Sequence, residues 1–194
     1  MDNEVVDATR RIVVVGTSGS GKSTLARRIS HRLDIPHIEL DAIHHQPNWT
    51  PMSAPDFQAA VAERIAQDAW VVDGNYRNKL GDLVWQRADT VVWFDLPRWR
   101  VMRQIIGRTV GRALTGRELW NGNRERWREM ISLDPARSVI MWAWTTHANN
   151  RASYLAAQAD PIFADLSFVR VGSHREAAAF LDGLGGRAAS SPRK

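Results

Sequence analysis

Cysteine is absent from the 194-residue chain, which excludes disulfide bridges and thiolate metal sites. The six histidines, His31, His37, His44, His45, His147 and His174, do not fall at zinc-site spacing. Metal chemistry is therefore expected to mean Mg²⁺ held by oxygen. No window approaches the roughly 18 apolar residues that a membrane span needs. The start, Met1 to Arg10, is polar and lacks a signal-peptide core, so a cytoplasmic location is expected. Acidic residues are scarce in one stretch: residues 98 to 151 carry 11 Arg against 4 acids, a balance of +7 that leaves −2 for the rest of a chain whose net charge is +5. That concentration of positive charge suits nucleic acid, anionic lipid or a polyphosphate ligand, and charge alone does not choose among them.

What is present is enough apolar material, 44% of residues, to bury a core, and a pattern that organises it. Ile12-Val13-Val14-Val15 is an apolar β-branched run ending at Gly16, the signature of a central strand buried on both faces. Three more buried-strand candidates follow, His37 to Leu40, Trp70 to Val72 and Val91 to Phe94, each ending at an aspartate: Asp41, Asp73 and Asp95. A last one, Phe168 to Val171, leads through Ser173 and Glu176 into a closing helix to about Leu184. Between strands, Lys22 to Leu33 reads as a helix, and Phe57, Val61 and Ile65 recur at helical spacing behind Ser53 and Asp56, which resemble a capping box. Strands alternating with helices predict right-handed crossovers and a parallel sheet covered on both faces, an α/β fold of about five strands.

The stretch 97–158 departs from this alternation and reads as wholly helical. Arg100, Gln104, Arg108 and Arg112 fall at i, i+4, i+8 and i+12; Asn121-Gly122 breaks the run; Trp127 and Ile131 suggest a short second helix; and a longer one starts near Val139 and runs through Tyr154. We read it as a helical lid within a single domain spanning 10–184, with loosely ordered ends at 1–9 and 185–194. There is no internal repeat.

Between the first strand and its helix lies Gly16-Thr17-Ser18-Gly19-Ser20-Gly21-Lys22-Ser23, followed by Thr24. Glycines at these positions let backbone N–H groups turn inward around phosphates, and the helix that follows aims its positive end at them. Lys22 then reaches the β- and γ-phosphates and Ser23 offers an oxygen to Mg²⁺. Strand before and helix after is the context the pattern requires, so ATP with Mg²⁺ is the expected ligand.

This loop, the Asp73-Gly74-Asn75-Tyr76-Arg77 segment and the arginine-rich insert together resemble adenylate kinase and related P-loop nucleoside and nucleotide kinases. The resemblance is closest to a bacterial branch labelled DNA topology modulation proteins, whose members carry segments similar to Leu40-Asp41-x-x-His44 and Glu118-Leu119-Trp120-Asn121-Gly122. It covers about residues 11 to 182. It implies a P-loop three-layer sandwich, organisation of Mg²⁺ by Asp73 and an anion grip by Arg77. Phe-Pro of the adenylate kinase segment is replaced here by Asn75-Tyr76, so the acceptor pocket differs in shape. It also makes Arg108 and Arg151 candidates for contact with the transferring phosphoryl group, and Gly172 a backbone contact to adenine.

Asp41 closes the second strand on the same edge. An acid there holds Mg²⁺, accepts a proton from an attacking hydroxyl, or simply pairs with an arginine; a nucleoside monophosphate acceptor would need no base. His44, His45 and Trp49 follow, either lining an acceptor pocket or packed in the core. Two functions remain open at this point: a phosphotransferase acting on a small molecule, and a nucleotide-switched regulatory protein that binds DNA or RNA through the insert. No helix-turn-helix, RNA-recognition or zinc motif accompanies the second.

Overall fold

The computed structural model describes residues 10–115, 119–123 and 138–184. Five parallel strands, β1 (Arg11–Gly16), β2 (His37–Glu39), β3 (Trp70–Asp73), β4 (Thr90–Phe94) and β5 (Ser167–Val171), lie in the order β2-β3-β1-β4-β5. β1 is central because its side chains are buried on both faces: Ile12 and Val14 point to one layer, Val13 and Val15 to the other. An apolar run without polar alternation is what such a position demands. Ile12 pairs with Val71 of β3 and Thr90 of β4, and Val14 with Asp73 and Val92, so the carboxyl ends of the strands line up along one edge.

One face is covered by α1 (Lys22–Leu33), which buries Leu25, Ala26 and Ile29 against Ile12, Val14, Val71 and Val92, and by α7 (His174–Gly183), which adds Ala177 and Leu181. On the other face α3 (Ala54–Arg64) brings in Phe57 and Val61, both fully buried with Trp70 and Ile65. Both serine N-caps form. Ser53 accepts from the Asp56 amide at 3.3 Å and Ser173 accepts from the Glu176 amide at 3.2 Å, each satisfying an amide that the helix start leaves without a partner.

Two differences from the sequence reading bear on the site. β2 stops at Glu39, and Leu40 to His44 form a five-residue helix, α2, so Asp41 stands in a first helical turn and not at a strand end. The reason is that β2 pairs only with β3, over three residues, and Leu40 turns inward to the core. The arginine-rich stretch begins as α5 (Arg98–Thr115), after the short α4 (Arg77–Leu80); a single 3₁₀ turn, Trp120–Gly122, marks the expected break, and α6 (Val139–Gln158) follows. The short helix expected around Trp127 and Ile131, the Arg112 side chain, and the two chain ends lie outside the described residues. Among the described residues no helix is long and apolar enough to cross a membrane.

Candidate active site

The phosphate loop closes on itself through the Ser20 amide, which donates to the Thr17 carbonyl at 3.0 Å. Gly21, with φ of 99°, hands the chain into α1 without any side-chain cap, and no acid occupies the first helical turn. The first amides of α1 are thus left to an incoming anion. Ser20 is fully buried, yet its Oγ has no hydrogen-bond partner among the described residues. An orphaned hydroxyl beside an uncapped helix start fits a phosphate group. For the metal, the described residues hold no cluster of three or more His, Cys, Asp or Glu. Mg²⁺ held largely by phosphate oxygens and water requires no such cluster. Ser23 is half-buried behind Lys22 and Thr24 is exposed; Ser18 is half-buried at the loop's tip.

Glycine is required at Gly19, whose φ is 84° and whose added Cβ would stand 2.8 Å from the Ile105 Cβ of α5. Gly19→Ala is therefore expected to lower stability by about 1–3 kcal/mol and to push α5 off the loop. A denaturation midpoint close to that of the parent would contradict that packing.

The segment after β3 acts on the loop. Asn75 Oδ1 accepts from the Gly16 amide at 3.2 Å, its Nδ2 donates to the Gly16 carbonyl, and the Tyr154 hydroxyl of α6 donates to the same Oδ1 at 2.9 Å. The Asn75 amide thus brackets the start of the phosphate loop. Burial pushes the Tyr154 phenol up, so it stays a neutral donor. Asp73 is buried, and His37 Nε2 lies 2.9 Å from its Oδ1. Arg77 gives its Nε to Asp82 at 2.7 Å and lays its guanidinium over the rings of Trp85 and Phe163.

A titratable cluster surrounds Asp41. Tyr76 donates its hydroxyl hydrogen to Asp41 Oδ1 at 2.7 Å, and His45 Nε2 lies 3.2 Å from the same phenol oxygen. Since that hydrogen goes to the carboxylate, the His45 contact is satisfied when Nε2 carries the proton and donates. Burial and the neighbouring carboxylates hold the Tyr76 phenol far above its usual range. His44 is buried between the rings of Phe57 and Tyr76, and accepts at Nε2 from Lys79 Nζ, 2.8 Å away.

Burial first, then Lys79 and His45, lower the His44 pKa from 6.5 to about 4, with Asp41 opposing. The unfolded chain consequently binds more protons than the fold between those values. Stability carried by neutral His44 is complete above pH 6.5 and is lost as pH falls towards about 4. His44→Asn should flatten that acid limb in urea denaturation; an unchanged slope would show that His44 is not its source. The lowered pKa of His45 acts in the same direction.

From α5, Arg108 Nη2 reaches within 3.5 Å of Ser18 Oγ. His147, Arg151 and Tyr154, one helical stripe in the sequence, all meet the sheet's carboxyl edge, at the Leu96 carbonyl, at Asp95 and at Asn75 respectively. Arg151 Nε lies 3.1 Å from Asp95, which also takes Arg170, so any role at a phosphoryl group requires Arg151 to leave that pair. The Gly172 amide donates to Glu176 Oε2 at 2.9 Å, closing the Ser173 cap. Trp49 packs edge-on against His45 and Trp120, with its backbone at φ of 57°.

Sequence reasoning missed His37, Tyr76, Lys79 and Tyr154 as members of the site. His37 and Lys79 carry no local signal, because their partners lie 36 and 35 residues away. Tyr154 had one, its place on the helical stripe with Arg151.

No protein-family model matches the sequence, and no curated protein matches it. Among solved structures the chain is similar to a gluconokinase from Sinorhizobium meliloti 1021, with a TM-score of 0.50 and 23% identity over 92% of this chain and 94% of that one. It is also similar to a sugar kinase from Janibacter sp. HTCC2649, TM-score 0.49 and 17% identity over 95% and 99% of the two chains. A shikimate kinase from Bacteroides thetaiotaomicron aligns at a TM-score of 0.47 and 15% identity over 91% and 96%. The first of these likenesses shows the fold alone: a five-stranded parallel α/β sandwich shared with that gluconokinase structure.

Proposed function

We propose that this protein is an ATP-dependent phosphotransferase that moves the γ-phosphoryl group to a hydroxyl of a small molecule. The observation that carries the reading is Asp41, half-buried on the same sheet edge as the phosphate loop and held in place by the Tyr76 hydroxyl at 2.7 Å. The loop by itself supports only nucleotide binding. A carboxylate fixed by a neutral phenol is an aimed proton acceptor, which a hydroxyl nucleophile needs and a phosphate nucleophile does not. The gluconokinase to which the chain is similar is by name a kinase, in agreement with the reading.

In this scheme the acceptor hydroxyl loses its proton to Asp41 as its oxygen forms a bond to the γ-phosphorus; the bond from that phosphorus to the β–γ bridging oxygen breaks and ADP leaves. Lys22, Ser18, Ser20 and the first amides of α1 bind the phosphates, and Arg108 approaches from the lid. Mg²⁺, held by Ser23 and organised by Asp73, supplies neutralisation of the phosphate charge when bound. His44, His45 and Trp49 stand on the acceptor side, Arg77 shapes it through Trp85, and residues 97–158 act as the lid that excludes water. Arg151 would join the phosphoryl group on closure by exchanging Asp95 for it.

The nucleotide-switched nucleic-acid reading, which the resemblance to DNA topology modulation proteins invites, rests on the arginines of the insert. Arg98 and Arg100 lie over the exposed rings of Trp144 and Trp99, a geometry that also suits a solvated helix face. The two readings separate in one assay. Phosphotransfer gives ADP release that depends on a small hydroxylated acceptor, whereas arginine-based nucleic-acid binding falls steeply with salt and leaves ADP release indifferent to acceptors.

A further inference from the structure

The turn between the two long helices of the insert is fastened to the loop that follows Asp41. Asn121 Nδ2 donates to the carbonyls of Ala42, at 3.1 Å, and His45, at 2.6 Å. Asn123, which is buried, donates from Nδ2 to the Gln46 carbonyl at 3.0 Å and accepts from the Trp49 amide at 2.8 Å. Four hydrogen bonds made by two asparagines thus tie one turn to the segment after Asp41 across 74 to 79 positions of sequence. The loop needs holding: Asn48 and Trp49 are both left-handed, with φ of 60° and 57°, although neither is glycine. Two such residues in succession are unfavourable unless their surroundings over-determine them.

The fastening also sets a surface. Trp120 lies nearly parallel to the His45 ring, 22° apart with centroids at 6.1 Å, and nearly perpendicular to Trp49, 83° at 6.5 Å. Both indoles are only half-buried. They make a corner of two flat walls beside the His45–Tyr76–Asp41 chain of hydrogen bonds. Of the two cations of the neighbouring helix α4, Arg77 pairs with Asp82 and Lys79 donates to His44, and among the described residues the corner itself is built of the two indole rings.

Building on the phosphotransfer reading, we infer that Asn121 and Asn123 form a clasp that fixes the acceptor loop and makes Trp120, with Trp49, the wall that selects a ring-shaped polyhydroxyl acceptor by stacking on its C–H face. Flat indole walls reward a ring that presents one apolar face and carries hydroxyls at its rim, and reward a flexible open chain much less. Asn121 and Asn123 act as positioning residues, while Trp120 touches the acceptor.

Two measurements test this, and they fail separately. In the Asn121→Ala/Asn123→Ala variant, hydrogen exchange at the Trp49 amide should quicken by about tenfold or more, with the amides of Ile12 to Val15 unaltered as a check on the fold. Unaltered exchange at Trp49 overturns the clasp. For the wall, ADP release is followed with adenosine and myo-inositol as ring acceptors and D-gluconate as the open-chain one. A ring acceptor should stimulate most, and Trp120→Ala should raise its KM by about tenfold with a smaller change in kcat. Strongest stimulation by D-gluconate, or an unmoved ring-acceptor KM in Trp120→Ala, overturns the stacking role. Absence of stimulation by all three in the unaltered protein contradicts phosphotransfer itself and removes the stacking role with it, whereas the exchange result upholds or removes the clasp on its own.

Discussion

Lys22→Met is expected to abolish ATP-dependent turnover, by at least about 10²–10³-fold, without lowering the thermal midpoint of the ligand-free protein. The second half of that expectation gives the first its meaning. Lys22 is only 9% exposed, and its ammonium makes no hydrogen bond or ion pair among the described residues. Since the ammonium holds no other group of the fold, an uncharged side chain of similar length should leave the fold about as stable as before. A lysine whose stem is packed while its ammonium is left to the phosphate loop is placed for a ligand's negative charge. Equilibrium binding of ATP should weaken in the variant as well. A lowered midpoint with turnover retained would make Lys22 a structural residue and remove the central cation from the phosphate site.

Asp41→Asn is expected to lower the rate of phosphoryl transfer by about 10²–10⁴-fold while changing the ATP dissociation constant little. Asparagine keeps an oxygen where Asp41 Oδ1 accepts from Tyr76, so the hydrogen bond at 2.7 Å and the packing of α2 survive the change. What is lost is the capacity to take a proton. A comparison with Tyr76→Phe separates aim from basicity: that variant keeps the carboxylate but frees it to turn, and should lose less. Turnover in Asp41→Asn equal to that of the parent would point to a phosphate nucleophile, which attacks already ionised.

The half of the site built from local chain was legible in advance. Gly16 to Ser23 could be placed between a strand and a helix because the apolar run of β1 and the helical spacing of α1 are properties of neighbours in sequence. The same is true of the serine caps at Ser53 and Ser173, where donor and acceptor lie three residues apart. The acceptor half was legible only as residue types. Asp41, His44, His45 and Trp49 could be singled out, but Tyr76 on Asp41, Lys79 on His44 and Asn123 on Trp49 join segments 35 to 74 residues apart, and no periodicity encodes such pairs. The bonds of Asn75 were hidden for the same reason. Its partners, Gly16 and Tyr154, lie 59 and 79 positions away, and an amide between two kinase-like segments looks the same whether it faces a substrate or a backbone. The helix at Leu40 to His44 was hidden because a five-residue element is too short to show a period.

The most direct test is ADP release measured with MgATP against a panel of hydroxylated small molecules, in the parent and in Asp41→Asn, at low and high salt. Release stimulated by at least one acceptor, insensitive to added DNA and lost in Asp41→Asn, is the expected result. Release indifferent to every acceptor, together with DNA binding that falls steeply with salt, would contradict it.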